Sequence, residues 1–249
     1  MTPLEQLAFF EAQARDAVEY ARAQAAGGDP YALFNWSSAA KSHFMRALIG
    51  WRTGLLDPKP DLAAAVEASE AAIQFMRTTD VGLNRLLFEP IPGAYSAILV
   101  GRPRSEAIAE GMRNLAPSSG KITRDAIAES WLVSGLAGGD LGDGPSIAEE
   151  LARAKRSALW GQTLRLYFQL LQVPGDDGPK AWSLTQQLVE LFSQRRRSGY
   201  ISAGPEYYGG DLDNEIVIDF HLAAIWHVRR WDLAGLAEAE RAHVVPPAA

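Results

Sequence analysis

The sequence predicts an all-α protein in which antiparallel helix hairpins pack as a single compact domain of roughly 8–10 helices. Three observations predict it. Apolar residues recur at spacings of three and four over long stretches, which is the period of an amphipathic helix. Clusters of Gly, Pro and Asp punctuate those stretches at turn-like intervals. The composition, 47% hydrophobic and 22% charged, is that of an ordinary globular chain and argues against disorder over most of its length.

The first helix is expected from about Pro3 to Ala26. Proline suits a first turn, where its missing N–H would have no partner anyway. Leu7, Phe10, Ala14, Val18, Ala21 and Ala25 form one stripe, and Gly27-Gly28-Asp29-Pro30 ends it. A second helix is expected from Asn35 to Thr53 and a third from Asp61 to Met76, with Asp57-Pro58-Lys59-Pro60 between them and Asp61 as the cap of the third. Small residues at Ala64, Ala68, Ala71 and Ala72 let a neighbouring helix come close. The pair resembles a tetratricopeptide-type hairpin, but no repeat of about 34 residues recurs downstream.

The middle of the chain is less regular. Pro90 and Pro92 divide the apolar stretches Leu83 to Phe88 and Ile91 to Val100. Ile98-Leu99-Val100 fits a short strand or a short helix, and its helical surroundings favour the helix. After Gly101-Arg102-Pro103, Ser105 opens a short helix to about Leu115. Thr123 then caps one through Ala137 that contains Ile127, Trp131 and Leu132.

The run Gly138-Gly139-Asp140-Leu141-Gly142-Asp143-Gly144-Pro145 reads as a flexible loop, and 138–145 is the best place for a subdomain boundary within the one domain 1–249. A continuous helix is expected from Ser146 to Gln172, opened by the Ser-x-x-Glu capping pattern of Ser146 and Glu149. Pro174 to Pro179 turns the chain into a helix from Lys180 to Arg197 that buries Trp182, Leu188, Leu191 and Phe192. The last strong helix, Asp213 to Trp231, is apolar nearly all round and so is expected to pack on several sides. The tail from Val244 reads as extended.

Charge and composition exclude several functions. With 24 Lys and Arg against 30 Asp and Glu, the net charge is −6, which disfavours nucleic acid, whose binding needs cations on phosphates. There is no cysteine, so disulfides, thiolate nucleophiles and iron–sulfur ligation are out. No apolar run approaches the ~20 residues that span a bilayer. The start, Met1-Thr2-Pro3-Leu4-Glu5, has neither the basic residues nor the apolar core of a signal peptide. A cytoplasmic protein that touches no membrane is the expectation.

Residues that could carry chemistry have simpler readings. His221 and His227 stand six apart on different helix faces, without the spacing or the Glu of a metalloprotease pair. His43 stands alone, and His227 is expected to be a hydrogen-bonded core residue. Glu215 and Asp219, four apart, could share a proton or a cation. Their plainer roles are a helix-dipole partner for Glu215 and an Arg-paired carboxylate for Asp219. Asp140, Asp143, Asp176 and Asp177 are turn residues. Ser37-Ser38 and Ser118-Ser119 lie in no nucleophile elbow. Arg195-Arg196-Arg197 closes a helix. No catalytic residue, cofactor or metal ligand is predicted.

The informative segment runs from Gly204 to Asp219. It holds Glu206, Asp211, Asp213, Glu215 and Asp219, with no Lys or Arg, together with Tyr207-Tyr208 and Gly209-Gly210. Tyrosines rimmed by carboxylates suit a basic protein surface, because aromatic rings supply contact area and the charges steer encounter. Glu206, Tyr207, Tyr208, Asp211, Asp213 and Glu215 are therefore the candidate partner-binding residues. An ordinary loop, its tyrosines folded back and its acids solvated, fits the same residues equally well.

Tyr207-Tyr208-Gly209, the helix Asp219-Phe220-His221-Leu222-Ala223-Ala224-Ile225-Trp226, and Trp231-Asp232-Leu233 before a Pro-containing tail give the chain a resemblance to the all-helical immunity proteins of bacterial polymorphic toxin systems. A longer acidic insert between the tyrosines and the helix departs from that pattern. The resemblance implies a protein without catalysis that binds and occludes a cognate toxin, often a basic nuclease. Two other readings stay open. One is a helical enzyme or small-molecule or metal-binding bundle with Glu215, Asp219 and His227 in an interior pocket. The other is a helical scaffold that self-associates.

Overall fold

The computed structural model describes residues 2–79, 88–115, 123–155, 157–197 and 218–246. These residues form eleven α-helices and one 3-10 turn, with no strand among them. The all-α class is thus as expected. The chain packs as two compact units, the first reaching Gly111 and the second running from Met112 to Pro246. The Gly138 to Pro145 loop lies inside the second. No described helix is long and apolar enough to cross a membrane.

In the first unit α1 spans Pro3–Ala26. Thr2 caps it: its hydroxyl accepts from the Glu5 N–H, and the Glu5 carboxyl accepts from the Thr2 N–H at 2.6 Å. That backbone donor holds Glu5 below the ordinary carboxylate range. Helix α2 (Ala32–Thr53) starts earlier than expected, because the Asp29 carboxyl accepts from the Tyr31 N–H at 3.0 Å and turns the chain into it. Helix α3 spans Lys59–Thr78. Pro60 is tolerated in its first turn, so Asp61 lies inside the helix and not at its cap. Alanines at 17, 21, 32, 39, 40, 68 and 72 line the interface of these helices, with Leu33, Trp36, Ile73 and Phe75 filling the space between. Small residues bring the backbones close, as the sequence implied. Helix α4 (Ile91–Leu99) resolves the strand-or-helix question, and all nine of its residues are buried. Helix α5 is shorter than expected, Glu106–Gly111, with the 3-10 turn Arg113–Leu115 following in the second unit.

The second unit begins its α-helices with α6, Arg124–Leu136. The single helix expected from Ser146 to Gln172 is in fact two, α7 (Gly144–Arg153) and α8 (Ala158–Leu171). Ala154 turns extended, and the Ser157 hydroxyl donates to the Leu151 carbonyl at 3.1 Å, so the chain doubles back. The Ser146–Glu149 capping box does not form either. The helix starts at Gly144, and Glu149 instead pairs with Arg153 at 3.1 Å and Arg165 at 3.5 Å. At the crossing, a Cβ on Gly161 would stand 2.1 Å from the Ala152 backbone nitrogen. Only glycine fits there. Gly161→Ala is therefore expected to force the hairpin apart and cost about 1–3 kcal/mol, read as a lower urea midpoint. The 138–145 turn is packed as well as tight, since a Cβ on Gly142 would strike the Trp131 ring at 2.3 Å.

Helix α9 spans Gly178–Arg197, close to expectation. Helix α10 spans only Phe220–Arg229. Ile218 and Asp219 precede it in non-helical backbone, so Asp219 does not share a helix face with a residue four positions earlier. A short α11, Glu238–Val244, was not expected. The Glu240 carboxyl starts it by accepting from the Ala237 N–H at 2.6 Å. Val244 closes α11, and Val245 after it is extended, one residue later than expected.

Candidate functional site

Glu206, Tyr207, Tyr208, Asp211, Asp213 and Glu215 lie outside the described residues. Of the acidic segment, Asp219 is described, and it stands in a buried polar cluster of the second unit. It is 1% exposed. As the N-cap of α10 it accepts from the Leu222 N–H at 3.1 Å, and its other oxygen accepts from the Tyr167 hydroxyl of α8 at 2.5 Å. The expected Arg partner is replaced by a tyrosine. An N-cap needs an oxygen aimed at the first turn, and Asp supplies one while leaving the second oxygen for a neighbour.

Two residues along, His221 is also buried. Its Nε2 lies 2.9 Å from Glu129 Oε1 of α6, and its Nδ1 lies 3.8 Å from Asp219. The ring stacks on Tyr167, centroids 5.1 Å apart, and Trp160 meets it edge-on at 5.5 Å. The buried Arg195 guanidinium stands 4.8 Å over Trp160. His243 of α11 takes the Asp219 N–H at a long 3.5 Å. Sequence reasoning missed Glu129, Tyr167, His221 and Arg195 as members of one site. A signal existed for His221, the polar residue inside an apolar run where every face is buried. Arg195 was read as a helix-end cation, and the structure puts it in the core.

His227 reverses its expected position. It is exposed, about one and two-thirds turns beyond the buried His221. Desolvation against the protein surface, and then the charge of Arg230, hold it below the ordinary histidine value. Arg230 itself sits in the left-handed region, φ 52, closing α10 with its N–H on the Trp226 carbonyl. Arg230→Gly is expected to relax that conformation, stabilising by up to about 1 kcal/mol. It should also move the His227 titration upward, which NMR can follow. A depressed histidine makes the folded chain bind fewer protons than the unfolded one. Stability therefore rises with pH through the window just below the ordinary histidine value, and the variant narrows that window.

In the first unit His43 does not stand alone. Its Nδ1 lies 3.0 Å from Asp61, whose second oxygen accepts from Arg46 at 2.7 Å. Arg46 reaches on to Glu11 of α1 at 3.2 Å. The buried Asp61 carboxyl thus ties α3 to α2, and Arg46 carries the link on to α1.

The surface of the same unit carries a groove of about 410 Å³ between α1 and α2, lined by Phe9, Gln13, Asp16, Tyr20, Asn35 and Ser38 among others. Phe9 is 48% exposed and Tyr20 64%. One turn before Ser38, Phe34 is 52% exposed, and Tyr31 a turn earlier is 63% exposed. The hairpin stays together beneath them through Gln24–Asn35 at 2.7 Å and Gln13–Ser42 at 2.9 Å. A second groove, of about 450 Å³ between α8 and α9, is lined mainly by Gln162, Arg165, Gln186, Gln187 and Glu190 over Leu166 and Leu191.

Chemically, the buried cluster is a set of mutually hydrogen-bonded and stacked side chains in the interior of the second unit, whereas the α1–α2 groove offers aromatic area to an outside molecule. Among the described residues no group of three or more His, Asp or Glu side chains could hold a metal ion. Comparison with protein-family models, curated proteins and solved structures found no match.

Proposed function

We propose that this chain is a non-enzymatic protein-binding module that engages and occludes a basic partner, in the manner the immunity-protein resemblance implies. The observation that carries the reading is the pair of exposed aromatics Phe9 and Tyr20 lining the α1–α2 groove, with Tyr31 and Phe34 also exposed at the start of α2. Large rings left in water cost free energy that docking recovers, and aromatic anchors dominate the energetics of protein interfaces. A net charge of −6 favours a basic partner by steering encounter. The acidic segment Glu206 to Glu215 would serve as a second contact.

The interior-pocket reading receives less support, because Asp219 is buried in the cluster while His227 is exposed.

The test begins with affinity capture from the native host, with mass spectrometry of proteins and small molecules, and continues with calorimetry on the purified partner. A stoichiometric basic protein is expected. Phe9→Ala with Tyr20→Ala should weaken it about tenfold or more at unchanged helicity, and lysine at Asp211, Asp213 and Glu215 should weaken it too. Loss with the lysine variant alone would move the contact off the groove. Capture of only a metal or small molecule would overturn the reading.

A further inference from the structure

We draw no further inference here: the strongest candidate, the carboxyl–imidazole cluster of Glu129, Asp219 and His221 buried between α6, α8 and α10, belongs to the site already described, and nothing in the structure points to a ligand for it.

Discussion

Asp219→Ala is expected to destabilise the second unit by about 2–4 kcal/mol. The substitution removes two things at once. The Leu222 N–H loses its cap, worth about 1 kcal/mol. The Tyr167 hydroxyl loses the carboxyl it donates to at 2.5 Å, in a site with little water to replace it, worth about 1–3 kcal/mol. The measurement is urea unfolding followed by tryptophan fluorescence. That signal weights the right unit, because Trp131, Trp160, Trp182, Trp226 and Trp231 belong to the second and only Trp36 and Trp51 to the first. Asp219→Asn should lose less, since asparagine caps a helix nearly as well. Tyr167→Phe should also lose less, and the double variant should cost less than the sum of the singles, because both remove one shared bond. A loss under about 1 kcal/mol for the alanine variant would mean that the cluster does not hold α10 to α8.

Asp61→Ala should have a comparable effect on the first unit, about 2–4 kcal/mol. The Asp61 side chain is 4% exposed and takes donors from both His43 and Arg46. Removing one member of a buried pair costs about 3–5 kcal/mol, because the other charge stays behind. Arg46 is 24% exposed, so solvent relieves part of that cost. Glu11→Ala supplies the contrast. Its carboxyl is 65% exposed, and removing it should cost under about 1 kcal/mol. Helical circular dichroism through a urea titration reads both variants. Equal losses would show that Asp61 acts as one more surface charge.

Much of the fold was legible because helix period and turn chemistry are local signals. The bounds of α1 follow from Thr2-Pro3 at one end and Gly27-Gly28 at the other. Helix α9 follows likewise from the turn before it. What failed is what depends on the rest of the molecule. The α7–α8 break contains no Pro or Gly at Ala154-Lys155, and its only advance sign was Gly161, whose bare backbone matters once another helix lies against it. Asp61 looked like a helix cap, and Asp219 like an Arg-paired carboxylate within a longer helix. One is a first-turn residue tied to α2, the other a cap tied to α8, and the partners His43, Arg46 and Tyr167 are 15 to 52 positions away. No short window can pair them. The groove aromatics escaped for the opposite reason: exposure is a property of what fails to pack on a residue, and the pattern of α1 does not record it.

Helix α4 has a consequence for how the first unit assembles. Nine residues are too few for a helix to persist alone in water, and all nine are buried in the finished unit. Its helicity must therefore arise together with its docking onto α2, α3 and α5, after the long α1–α2–α3 framework has begun to gather. Until that step Ile91, Tyr95, Ile98 and Leu99 are bared to solvent, and a chain paused there is at its stickiest. Substitutions that weaken this docking, such as Tyr95→Ala, are expected to lower the yield of soluble protein.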